Sequence, residues 1–179
     1  MKQKILVLAY PGSGKTFLAE NFENVSDLEF QHYRWDYGEH KNLPLEKLKG
    51  RKDLRTNNPD WPNNFFKLLD EELNKNNIIL VPMATSLFER LEYLNSQNVR
   101  IIFAIPTREC FKDIIQAYKN RGNDEKFIES RKSDFEKFYD LVNKTKYEKI
   151  YIKKGEHLHE ALQNIGIKFV KGKGYKNYF

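Results

Sequence analysis

Short apolar runs alternate with helical apolar stripes along this chain. Residues 5–8 (ILVL), 78–81 (IILV), 99–105 (VRIIFAI) and 149–152 (KIYI) have the length and β-branched content of strands buried on both faces. Residues 24–30 (NVSDLEF) read as a further short strand, with Val25, Leu28 and Phe30 around two carboxylates. Between these runs, apolar residues recur at helical spacing. Phe17, Leu18, Ala19 and Phe22 follow the first run; Leu87, Leu91 and Leu94 mark a helix over 86–96; Phe111, Ile114, Ile115 and Tyr118 mark one over 108–120. Two more are predicted over about 125–143 and 156–164. Strands alternating with helices predict an α/β fold whose five-stranded parallel sheet is covered by helices on both faces.

Residues 31–77 break this rhythm. Gly38, Pro44, Gly50, Pro59 and Pro62 punctuate them, and aromatic and basic side chains interleave, with only a short helix near 43–48 and a longer one carrying Phe65, Leu69 and Leu73. The stretch is predicted to be a substrate-binding lobe inserted into a single domain spanning 1–179, and 108–143 a helical lid. Aromatic rings stack on bases and arginines grip phosphate, so the insert suits a nucleoside or nucleotide; the plainer reading is a satellite core with a charged rim.

Chemistry concentrates directly after the first run. Residues 9–16 read AYPGSGKT, the phosphate-binding Walker A pattern with Ala9 in place of the first glycine, and they lie between a predicted strand and a predicted helix as that motif requires. Gly12 and Gly14 let the backbone wrap phosphate oxygens, with the amides of Ser13, Lys15, Thr16 and Phe17 close by. Lys15 is placed to reach the β and γ phosphates and Thr16 to offer its hydroxyl to magnesium. Asp27 and Glu29, two apart on an extended segment, share one side and face the crevice beyond the strand ends, where a carboxylate can take a proton from a hydroxyl or hold magnesium through water. Past the 78–81 run, where a second acid often stands, the sequence has Pro82, Met83 and Ala84, so the metal site relies on Thr16 and Asp27. Arg90 either points into the crevice or pairs on the surface.

The charge balance, 31 Lys and Arg against 25 Asp and Glu, favours anionic partners such as nucleotides or nucleic acid, although a solvated lysine-rich surface explains it better than a polymer-binding face does. Cys110 is the single cysteine, which excludes an internal disulfide and fits a reducing compartment. The first apolar run is too short for a signal peptide and no stretch reaches membrane-span length, so a cytoplasmic protein without a membrane partner is expected. His157 and His159 lack metal-ligand spacing. The tail, 167–179, reads as a loose basic arm or an edge strand.

The order of strand, phosphate loop, insert, two strands, arginine-bearing helical hairpin and last strand resembles the P-loop nucleoside and nucleoside-monophosphate kinases, adenylate kinase among them. The pair Asp27 and Glu29 is similar to the acidic pair of shikimate-type kinases. The resemblance implies a three-layer P-loop NTPase fold in which residues 12–16 bind ATP phosphates, Arg121 is a lid arginine and the backbone of 153–155 lies near adenine. It also implies that one carboxylate of the acidic pair holds substrate while the other helps with magnesium. The Asp-Gly-Phe-Pro-Arg segment of nucleotide kinases is absent, and Asn143, Lys144, Thr145 and Lys146 lack the aspartate of a guanine-specificity motif. The expected activity is transfer of the γ-phosphoryl of ATP, with Mg2+, to a small acceptor gripped by Glu29, Arg34, Arg55 and Arg90. The alternatives are a kinase acting on nucleic-acid ends or modified bases, and an ATPase or nucleotide-switch module.

Overall fold

Five of the apolar runs pair in parallel in the computed structural model, which describes residues 3–48, 51–120 and 122–172. The chain runs β1 (Ile5–Ala9), α1 (Lys15–Asn21), β2 (Val25–Asp27), α2 (Gln31–Arg34), β3 (Trp35–Asp36), α3 (Leu45–Leu48), β4 (Thr56–Asn57), α4 (Asn63–Lys75) and β5 (Ile78–Pro82). It continues through α5 (Phe88–Ser96), β6 (Arg100–Pro106), α6 (Arg108–Asn120), α7 (Glu125–Lys144), β7 (Glu148–Ile152) and α8 (Leu158–Asn164). The sheet order is β2-β5-β1-β6-β7, with Ile5 level with Ile78 on one side and Arg100 on the other. The three-layer α/β architecture expected from the sequence is the one observed.

Strand order and handedness decide which helix covers which face. The connection from β1 to β2 moves one way along the sheet and every later one moves the other way, so right-handed crossovers put α1 opposite α4, α5, α6 and α7. Alternate residues of β1 serve the two cores accordingly. Leu6, Leu8 and Tyr10 join Phe65, Leu69, Leu91, Phe111 and Phe135 on one face; Ile5, Val7 and Ala9 join Leu18, Leu158 and Leu162 on the other. All five residues of β1 and all five of β5 are buried, which accounts for runs without polar alternation.

The 31–77 stretch divides. Its last part, α4, turns Phe65, Leu69 and Leu73 into the main core beneath β5. The part before α4 is a small layer of short elements, in which β3 and β4 form an antiparallel pair with Trp35 opposite Asn57. Aromatic packing joins it to the core: Phe30, Tyr33 and Trp61 lie with ring centroids 5.7–5.9 Å from Phe65, and Phe30 and Trp61 lie 5.3 Å apart.

Element edges shift slightly from the sequence expectation. A 3-10 turn over Thr85–Leu87 takes the place of the first turn expected at 86, and α8 starts two residues late because His157 caps it, its N–H donating to Glu160 Oε2 at 2.7 Å. Of the tail, 168–172 forms a short antiparallel strap: Glu23 N–H donates to Val170 O and Gly172 N–H to Asn21 O, each at 2.9 Å, and Phe22 packs on Phe169. Its remainder lies outside the described residues. Among the described residues no helix is long and apolar enough to cross a membrane.

Candidate phosphate-binding and acceptor site

The loop after β1 is set by its neighbours in the sheet. Tyr10 N–H donates to Ala104 O at 2.9 Å and Met83 N–H to Ala9 O at 3.0 Å, so the chain leaves the middle of the sheet in a fixed direction. Gly12 and Gly14 then adopt φ of +85° and +95°, a left-handed backbone that side chains strain against. Gly12 is also crowded, because a Cβ there would stand 3.2 Å from the Tyr118 hydroxyl. Ser13 Oγ is buried without a hydrogen-bond partner among the described residues.

Lys15, the first residue of α1, is only 7% exposed. Its Nζ lies 3.5 Å from Glu29 Oε1 and 3.9 Å from Asp27 Oδ1. Thr16 Oγ1 donates to Asp27 Oδ2 at 3.1 Å. Asp27 ends β2, which is separated from β1 by β5, so the loop lysine reaches across the end of β5, where buried Pro82 and Met83 offer no charge. β5 thus ends without an acid, and β2 beside it ends with one. Burial pushes the Asp27 carboxyl above its ordinary range, Lys15 pulls it back, Glu29 raises it further and the Thr16 hydrogen bond lowers it. Asp27 Oδ1 is buried and has no hydrogen-bond partner among the described residues.

These donors fit magnesium held mainly by phosphates. Among the described residues no group of three or more His, Cys, Asp or Glu could cage a metal. Magnesium keeps much of its water and takes one or two protein oxygens beside substrate phosphates, which the Thr16 hydroxyl and the orphaned Asp27 oxygen can offer.

On the other side of β1, Tyr10 is buried between α6 and α7, edge-on to Phe111 and Phe135 at 5.8 and 5.5 Å, and its hydroxyl donates to the Arg131 carbonyl at 3.1 Å. Sequence reasoning missed both Tyr10 and Tyr118. The signal for Tyr10 was its parity with Leu6 and Leu8, which continues the core side of β1 into the loop. Arg131 itself pairs with Asp134 at 2.8 Å. Arg121, expected as a lid arginine, lies outside the described residues.

The other expected residues fall into three places. Arg34 and Arg55 both stack on Trp35, with guanidinium carbons 4.9 and 4.0 Å from the ring centroid. Arg90 ties α5 to α4, 2.5 Å from Asp70 Oδ2 and stacked on Tyr93 at 3.9 Å; its partners all belong to those two helices. Phe17 turns its ring towards His159 of α8, 5.9 Å away, so at the loop it has only its backbone to offer. The turn at 153–155, with Gly155 at φ +77°, forms one wall of an open cleft of about 500 Å³ whose other wall is α8.

No protein-family model matches the chain, and no curated protein matches it. A comparison of folds finds similarity to a gluconokinase from Sinorhizobium meliloti 1021, at 12% identity and a TM-score of 0.49, over 90% of this chain and 88% of that one.

Proposed function

We propose that the protein is an ATP-dependent phosphotransferase that moves the γ-phosphoryl group to a small acceptor, a nucleoside or nucleotide by the character of the 31–62 layer. The observation that carries this reading is the convergence of the Lys15 ammonium, Thr16 hydroxyl, Asp27 and Glu29 at the mouth of a glycine loop on the central strand. In open parallel sheets ligands bind in that place, beyond the carboxyl ends of the strands.

The roles follow from position. Lys15 exchanges its two carboxylate partners for phosphate oxygens and offsets charge on the transferring group. Thr16 and Asp27 hold magnesium, which when bound neutralises the β and γ oxygens. Glu29, more exposed than Asp27, faces the acceptor. For a hydroxyl acceptor it takes the proton as the oxygen bonds to the γ phosphorus and the bond to the departing ADP oxygen breaks. Arg34 and Arg55 lie on the acceptor side, Arg121 is assigned to the lid, and Arg90 acts through the packing of α4 and α5. The 153–155 backbone and its cleft are assigned to the base of ATP.

The test is ADP formation with Mg2+ across nucleosides, nucleoside monophosphates, sugar acids and short oligonucleotides, with Lys15→Ala as the blank. Acceptor-dependent ADP formation that the variant lacks is the expected result. Equal ADP formation without acceptor would instead mark a nucleotide switch. Turnover confined to oligonucleotides, with steep salt dependence, would mark a nucleic-acid end kinase.

A further inference from the structure

Arginines in the described residues fall into two groups. Arg51, Arg90, Arg100, Arg108 and Arg131 each lie 2.5–2.9 Å from a carboxylate oxygen. Arg34 and Arg55 have no carboxylate partner among the described residues, and these two share one indole. Of the acids two residues away in sequence, Asp36 accepts from Gly38 N–H at 2.8 Å and Asp53 pairs with Arg51 at 2.6 Å.

The pairing of β3 and β4 brings this about. Trp35 stands opposite Asn57, so Arg55, two residues earlier, falls on the same face at the diagonal position, while Arg34 is the residue immediately before Trp35. Stacking engages the flat face of a guanidinium and leaves its N–H edge to bond in plane. Their distances from the indole, 4.9 and 4.0 Å, keep the guanidinium carbons within about 9 Å of each other, a span that one phosphate or carboxylate can bridge by accepting from both. The pair is also near the chemistry. Two virtual bonds and three helical steps separate Glu29 from Arg34, a Cα distance of no more than about 13 Å, and Glu29 meets Lys15 at 3.5 Å.

We infer that Arg34, Trp35 and Arg55 form an anion fork that fixes the acceptor, so that the acceptor is a small molecule carrying a phosphate or carboxylate group apart from the atom that receives the phosphoryl. The inference rests on the phosphotransferase reading for the word acceptor, but the fork can be measured without turnover. Trp35 is one of two tryptophans, and Trp61→Phe leaves its emission as the only indole signal.

In that background, with the glycine loop saturated by Mg·ADP, emission is titrated with matched pairs: AMP against adenosine, and a hexonic acid against the parent sugar. The expected result is that the anionic member of at least one pair binds at least tenfold more tightly than its neutral partner, and that Arg34→Gln and Arg55→Gln each remove at least tenfold of that affinity. A response in the AMP pair alone assigns the fork to phosphate monoesters, and one in the acid pair alone assigns it to carboxylates. Equal binding of charged and neutral partners, unchanged affinity in both arginine variants, or a response only to oligonucleotides would each overturn the fork. Absence of Mg·ADP binding would count against the phosphate-loop reading alone, because Trp35 reports anion binding with or without nucleotide.

Discussion

The two sides of the site are built by opposite means. On the side proposed to bind phosphate the groups stand on the main sheet and its covering helix: Lys15 and Thr16 open α1, Asp27 closes β2 alongside β5, and the lysine is buried and already paired with acids. On the side proposed to bind the acceptor, Arg34 ends the four-residue α2 and is exposed, Arg55 directly precedes the two-residue β4, and one tryptophan holds both. The first side is preorganised by the sheet and meets a ligand by exchanging partners. The second is held to the core by one aromatic cluster and carries charge still without a carboxylate. In the proposed function the rigid side serves the nucleotide phosphates and the other side discriminates among acceptors.

Breaking the phosphate side gives the largest effect. Lys15→Ala is expected to lower phosphoryl transfer by about 10⁴-fold, roughly 5 kcal/mol of transition-state stabilisation; near-normal single-turnover rates would remove the loop from the chemistry. Next is the joint between the two sides. Phe65 is fully buried under Phe30, Tyr33 and Trp61, and Phe65→Ala is expected to cost about 4 kcal/mol in urea unfolding. Amide exchange should rise more in 31–58 than in β1, and uniform loosening would erase the contrast.

A smaller change sharpens the phosphate side. Asp27→Asn is expected to slow transfer by about 10²-fold. Because burial raises the Asp27 pKa in the metal-free protein and the ionised form is the one that takes magnesium in the proposed function, Mg2+ affinity should fall as pH drops through a value above the ordinary carboxylate range, and the variant should lack that limb. The smallest effect lies at the foot of the seam. Glu72 accepts from Lys75 at 3.0 Å, Asn76 at 3.1 Å and Ser26 at 3.3 Å, and its pKa is lowered, chiefly by Lys75. A depressed carboxylate contributes stability above its unfolded pKa and loses it as pH falls through the folded one. Glu72→Gln should therefore cost about 1 kcal/mol at neutral pH and nothing once both pKa values are passed on acidification; a cost that persists in acid would show a packing role instead.

How far the sequence was legible follows the same division. Buried parallel strands announce themselves as unbroken apolar runs, so 5–8, 78–81 and 99–105 could be placed within a residue or so, and the loop between β1 and α1 was read from its glycines and lysine. The side shared by Asp27 and Glu29 followed from strand periodicity. The proposed acceptor side was not legible in this way, since two-residue strands have no period and the stacking of Arg34 and Arg55 depends on the pairing that sets Trp35 opposite Asn57, about twenty residues further along the chain. Helical spacing could mark Phe65 as apolar but could not say that α4 belongs under the main sheet. Arg90 shows the ambiguity of a single charge: its spacing admitted a crevice-facing role, and the packing gives it Asp70 and Tyr93.

Tyr10 belongs to the loop by sequence and to the hairpin by packing, and that double membership has a mechanical consequence. Its ring packs edge-on against the stacked rings of Phe111 and Phe135 and its hydroxyl holds the α7 backbone at Arg131. The hairpin is therefore bolted, at Phe111 of α6 and at Arg131 and Phe135 of α7, to the strand from which the glycine loop leaves. Any swing of this arm has its pivot outboard of that bolt, so the grip stays still while the tip of the arm moves.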